Sequence, residues 1–195
     1  TGRPPHGSGQ LSGHSARLTG MFETPEEIDA LQQLLDRSHG RSTTHLRSII
    51  TPDRTLSAAD LCTVLTGMRV LNLATVTAGG EPRISAVDGH FLNGRWTFST
   101  SGSAAKARHL RVRPAASVAY VDGERVGVFT HGEVEFLEIG TPDQVALDEY
   151  LTGFYGSSPS SWGDDIVYCR VRPSWMVGYA FDRDQLMAEI GADAT

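Results

Sequence analysis

Between Val70 and Ile139 the chain alternates apolar and polar residues in short runs broken by turns, the period of strands with one buried face. The runs are VLNLATVTA before Gly79-Gly80, RISAVDGHF before Asn93-Gly94, RWTFSTS, ASVAYV before Asp122-Gly123, and the long RVGVFTHGEVEFLEI. Two later runs, DIVYCRV and WMVGYAF, predict two more strands with a bend at Arg172-Pro173.

Helical spacing flanks this region. Thr24-Pro25-Glu26-Glu27 combines a capping hydroxyl, a first-turn proline and acids, ahead of the stripe Ile28, Leu31, Leu34 and Leu35. Ser57 is placed to cap the amide of Asp60, ahead of Leu61, Val64, Leu65 and Met68. Ser103 to Arg113, closed by Pro114, reads as a short helix; Pro142 to Tyr155 and Asp184 to Ile190 read as two more. Short strands joined by tight turns, with helices around them, predict an antiparallel barrel. The expected organisation is an arm over 1–20, a helical extension over 21–69, a barrel over 70–182, and a helix and tail over 183–195.

Composition narrows the function. The formal net charge of -6 argues against general nucleic-acid binding. No apolar run is long enough to cross a bilayer and no leader pattern opens the sequence, so the expectation is a cytoplasmic protein away from membranes. Cys62 and Cys169 lack metal-ligand spacing and read as reduced core residues. Zinc motifs, nucleophile elbows and phosphate-binding P-loops are absent, and Asp164-Asp165 form a poor acid/base pair because alternation points them apart. Protein-only catalysis therefore has few candidates, and an enzyme of this composition relies on a cofactor.

One segment carries a distinct chemical signal. Lys106 is the single lysine in the chain, inside FSTSGSAAKARHLRVRP. Ser103 is placed to cap the following helix, leaving first-turn amides at the positive end of its dipole. Such an end seats an anion, and the hydroxyls of Ser99, Thr100 and Ser101 lead into it. Lysine is a mobile point charge suited to phosphate. The competing reading is a connecting helix with a solvated basic face, which accounts for Arg108, Arg111 and Arg113.

LNLATVTAGGEPRISAVDGHF, WTFSTSGSAAKARHLRVRPAASVAYVDG and VGVFTHGEVEF, in that order, resemble the pyridoxamine 5'-phosphate oxidase-like flavin-binding split barrels, especially the flavin/deazaflavin oxidoreductases. The similarity spans roughly Val70 to Leu137. It implies a six-stranded antiparallel split barrel, mainly β with flanking helices, forming a homodimer with the cofactor at the interface. Ser99, Thr100, Ser101 and Lys106 would contact the phosphate, Arg83, Ile84, Ser85 and Ala86 would run along the ring, and Trp175 would reach the site from the other subunit. The sequence departs from the family where Ala104 and Ala105 replace an arginine common in relatives, and where His109 replaces a frequent asparagine.

The resemblance implies an oxidoreductase using FMN or coenzyme F-420 (a deazaflavin) on a small organic substrate. Catalytic residues are not identified, although His90 and Tyr120 are candidates for relaying a proton. The alternatives are a non-catalytic flavin- or haem-binding protein, with His90, His109 and His131 as axial candidates, and a structural dimer whose site has decayed. For His90 a structural role is the favoured reading.

Overall fold

The computed structural model describes residues 22–193. Six antiparallel strands close into a barrel in the order β1-β2-β3-β6-β5-β4. They are β1 (Met68–Val76), β2 (Pro82–Leu92), β3 (Arg95–Ser101), β4 (Ala115–Asp122), β5 (Val126–Phe136) and β6 (Ile166–Ala180). Six helices accompany them: α1 (Pro25–Arg41), α2 (Thr44–Ile49), α3 (Ala58–Val64), α4 (Ala105–Val112), α5 (Pro142–Tyr155) and α6 (Arg183–Asp193). The expected arm over 1–20 lies outside the described residues.

Local signals set most element ends. Thr24 and Ser57 form reciprocal capping boxes with Glu27 and Asp60. Asn93 and Gly94 both take positive φ, 53° and 70°, as a tight hairpin between twisted strands requires. Leu31, Leu61 and Leu65 join Leu71, Val118, Val128 and Met176 in one continuous core, so α1 and α3 are packed against the barrel. No helix among the described residues is long and apolar enough to cross a membrane.

Three features differ from the sequence reading. Thr44–Ile49 forms a short helix capped by Thr43, with no buried residue and hence no apolar stripe to announce it. Met68 opens β1 instead of ending the α3 stripe, because Gly67 at φ 81° breaks the helix first. The two late runs are one strand, β6, which continues through Pro173. Against β5 the register shifts between His131 and Gly132, where Ser174 of β6 is the extra residue, next to Pro173. A bulge tolerates the missing proline N–H. Gly132 is required there, since a Cβ would sit 2.1 Å from the Arg172 carbonyl oxygen.

One buried polar cluster ties α5 to the barrel. His90 on β2 is 1% exposed. Its Nδ1 lies 3.1 Å from the Tyr150 hydroxyl and its Nε2 2.9 Å from the Tyr155 hydroxyl. Phe154 packs edge-on against the same ring. Burial, with a smaller contribution from the Arg69 charge, pushes the His90 pKa down to about 4. His90 is therefore a neutral structural clamp at physiological pH.

Two expectations follow. Gly132→Ala forces backbone apart at the bulge and should destabilise the fold by about 1–3 kcal/mol, read from chemical denaturation. For His90, an unfolded chain titrates near its ordinary value of about 6.5 while the folded protein resists protonation until about pH 4. The unfolded state thus binds more protons in that window, and stability falls as pH drops through it, by up to about 3 kcal/mol. Denaturation of wild type and His90→Gln across pH 7.5 to 4.5 should give a flatter profile for the variant, which keeps polar partners but does not titrate.

Candidate functional site

The strand pairings leave a split in the barrel wall. β2 pairs with β3 only over Gly89–Leu92 against Arg95–Phe98. Its first half, Pro82 to Asp88, pairs with β1 alone. The end of β3, Ser99 to Ser101, pairs with β6 alone. One edge of Arg83, Ile84, Ser85 and Ala86 is therefore free of strand partners and faces the gap. Unpaired backbone groups along such an edge are available to a ligand.

α4 closes one end of this gap. Ala107 and Leu110 are buried. Nδ1 of His109 lies 3.0 Å from Oγ1 of Thr75. Thr75 is itself opposite Arg83 in the β1–β2 ladder. The helix that carries Lys106 is thus fixed to the end of the sheet where the β2 edge begins. Lys106, one turn before His109, is half-buried, and among the described residues it has neither a hydrogen-bond nor an ion-pair partner. A half-buried ammonium without a counter-charge is unusual, because burial without pairing costs free energy.

The loop into α4 is built differently from the sequence expectation. The helix begins one residue later, with Ala104 at the cap position and no side-chain cap. Ser103 does not cap the Lys106 amide. Its hydroxyl lies 2.8 Å from Ser101 Oγ instead. Asp165 draws the loop away: its Oδ2 accepts from Ser101 Oγ at 2.9 Å and from the Ser103 amide at 2.8 Å. The hydrogen bonds from Ser103 and Ser101 hold the Asp165 carboxyl below its ordinary range.

The two arginines of α4 brace the same loop and are not merely helix-end cations. Arg108 donates to the Ser103 carbonyl at 2.6 Å and Arg111 to the Gly102 carbonyl at 2.5 Å. Gly102 is needed for this closeness, since a Cβ there would meet Arg111, the Asp165 carbonyl and Val167 within 3.3 Å.

The remaining expected residues fall into two groups. Strand alternation sends Ser99 and Ser101 to one face of β3 and Thr100 to the other. Ile84 is 73% exposed on the outer barrel face, and Arg83 pairs with Glu81 at 2.7 Å beside it. Trp175 is not at the split within one chain. The registers place Ile84, Ala74, Ser117, His131 and Trp175 in one row across β2, β1, β4, β5 and β6. Measured along the sheet by way of β1, β4 and β5, four strand spacings lie between its ends, roughly 19 Å. Trp175 stacks on His131 with centroids 4.7 Å apart, and His131 Nδ1 is 2.8 Å from Ser117 Oγ.

Both cysteines are free thiols. Burial pushes Cys169 up to about 12, against the opposing charges of Arg111 and Lys106, so it stays protonated. No group of three or more His, Cys, Asp or Glu among the described residues is arranged to hold a metal ion. In the sequence Asp164-Asp165 read only as a poor acid/base pair, because alternation points them apart. The relation of Asp165 to Ser101 and Ser103 depends on β3 pairing with β6, across more than 60 residues.

The family model for pyridoxamine 5'-phosphate oxidase matches residues 60–159. No curated protein matches. Among solved structures, a conserved hypothetical protein from Mycobacterium tuberculosis superposes with a TM-score of 0.58 at 20% identity, covering 69% of this chain and 91% of that one. A FAD-binding protein from Mesorhizobium loti gives 0.51 at 24% identity, covering 65% and 94%. The haem storage protein HutZ from Vibrio cholerae gives 0.50 at 20% identity, covering 57% and 86%. These likenesses concern the fold. With the matched segment running from α3 through all of β1 to β5 and the split between β2 and β3 in place, the chain belongs to the pyridoxamine 5'-phosphate oxidase family of split barrels.

Proposed function

We propose that this protein is an oxidoreductase that holds FMN or coenzyme F-420 in the split between β2 and β3 and acts on a small organic substrate. The carrying observation is Lys106: a half-buried, unpartnered cation on the first turn of an uncapped helix, at the end of an unpaired strand edge. Uncapped first-turn amides and a mobile ammonium suit a phosphate group. Ser99 and Ser101, on one face of β3, line the approach to them, and Thr100 is left on the other face. The free edge over Arg83, Ile84, Ser85 and Ala86 suits the polar rim of a flat ring. Bound there, a flavin or deazaflavin supplies the hydride chemistry. The protein's own part is to hold the phosphate, orient the ring and shield it from water.

Homodimerisation completes this reading. The outer row from Ile84 to Trp175 is apolar or small-residued apart from His131, and Val70 and Val121 further along the same strands are 54% and 48% exposed. A two-fold contact through this face is self-complementary. It brings Trp175 of the partner subunit toward the β2 edge that its own Trp175 does not reach. His90 drops out as a proton relay because both ring nitrogens are occupied by tyrosines.

A second reading is favoured by His131, which is exposed and stacked on Trp175. It makes His131 an axial ligand in a haem-binding, non-catalytic protein. Of the other axial candidates, His90 is sealed under α5 and His109 is tied to Thr75.

Titration of the purified protein with FMN, coenzyme F-420 and haemin separates the readings. A tricycle should bind, and Lys106→Ala should weaken it roughly tenfold or more, the worth of a hydrogen bond to a charged group. Equal affinity in wild type and Lys106→Ala contradicts the phosphate seat. A Soret band lost in His131→Ala supports the haem reading instead.

A further inference from the structure

The seat proposed for the cofactor phosphate already holds an anionic oxygen from the chain itself. Oδ2 of Asp165 accepts from Ser101 Oγ at 2.9 Å and from the Ser103 amide at 2.8 Å. Ser103 Oγ joins the same cluster through Ser101 Oγ at 2.8 Å. These donors lie directly between β3 and the uncapped start of α4. A carboxylate oxygen and a phosphate oxygen ask the same of them.

The charge balance points the same way. Lys106 is the cation of the seat, on the first turn of α4. Asp165 adds a negative charge at the same donors and forms no ion pair with Lys106. A phosphate entering next to the carboxylate meets a like charge and finds two of its donors engaged.

We propose that Asp165 is an internal competitor for the phosphate seat, a side chain that must leave Ser101 and Ser103 before a cofactor phosphate takes them. The inference rests on the phosphate reading given above. The exchange requires little of the fold. Asp165 is exposed and precedes the first residue of β6, Ile166. Its backbone carbonyl is held separately by the Gly102 amide at 2.7 Å. A side-chain rotation therefore frees the donors while the backbone bond and the β3–β6 register stay intact. The connection behind it, from Gly156 to Asp164, is anchored away from the seat: Trp162 donates to Ser157 Oγ at 3.0 Å and packs edge-on against Tyr155.

The role predicts opposite effects for two neighbours in one cluster. Removing Lys106 takes away attraction, whereas removing the Asp165 charge takes away competition. Asp165→Asn is the informative variant, since its amide oxygen can accept from the same loop donors without the charge. Asp165→Ala removes the acceptor altogether. A positioning role for Asp165 predicts the reverse order, with Asp165→Ala binding phosphate less well than wild type.

The test uses the full chain and two ligand pairs that differ by the phosphate-bearing part: FMN against riboflavin, and coenzyme F-420 against its phosphate-free deazaflavin core. Affinities are read by fluorescence for wild type, Asp165→Asn, Asp165→Ala and Lys106→Ala, with thermal melts confirming that each variant is folded. In the pair that binds, both Asp165 variants should tighten the phosphorylated ligand about two- to fivefold, the scale of an exposed charge interaction, and leave the phosphate-free ligand unchanged. A phosphorylated ligand that binds only once Asp165 is replaced supports the proposal equally. Unchanged or weaker binding of that ligand in both variants, with Lys106→Ala still weakening it, overturns the competitor role and leaves the seat standing. Equal affinity for both members of a pair, insensitive to Lys106→Ala and to Asp165 replacement, overturns the seat and the competitor together.

Discussion

The structure turns on where β2 and β3 stop pairing. They share a ladder only from Gly89 to Leu92, next to the tight Asn93-Gly94 hairpin. Beyond it β2 stays with β1 and β3 crosses to β6. A barrel removes sheet edges by closing, and this one closes while leaving a local edge exposed. α4 follows β3 directly and is pinned below the gap by Leu110 in the core and His109 on Thr75. The position of Lys106 beside the gap thus follows from strand divergence, and among the described residues it has no ion-pair partner there.

The same divergence sets what each side of the barrel does. The wall under α5 is sealed by the His90 clamp with Tyr150 and Tyr155. The outer row that ends at Trp175 begins at Ile84, which is 73% exposed. Gly132 and Pro173 let β6 run continuously past the bulge, which aligns Trp175 with His131 on that row. A break at Pro173 would have removed this alignment. Structural rigidity and the candidate site are therefore divided between faces of one barrel.

Much of this was legible in the sequence where the signal is local. The capping boxes at Thr24 and Ser57, the Asn93-Gly94 turn and the helix Pro142–Tyr155 are each encoded by neighbours within a few residues. The order of motifs around Lys106 was enough to indicate the family. What escaped depends on contacts between distant segments. The continuity of β6 through Pro173 needs Gly132 on another strand, and the displacement of Ser103 from its capping position needs Asp165. α2 escaped for a different reason: with no buried residue, it has no hydrophobic period to read. The acids and hydroxyls of the seat were all visible, but not which of them would meet.

The central claim is that one ligand spans both the free β2 edge and the first turn of α4. Amide hydrogen exchange of the protein, with and without the tricycle it binds, addresses this directly. Slowed exchange at Ile84 to Ala86 together with Ala105 to Ala107 is the predicted result. Protection confined to other surfaces, with both of these segments unchanged at saturating ligand, would contradict it.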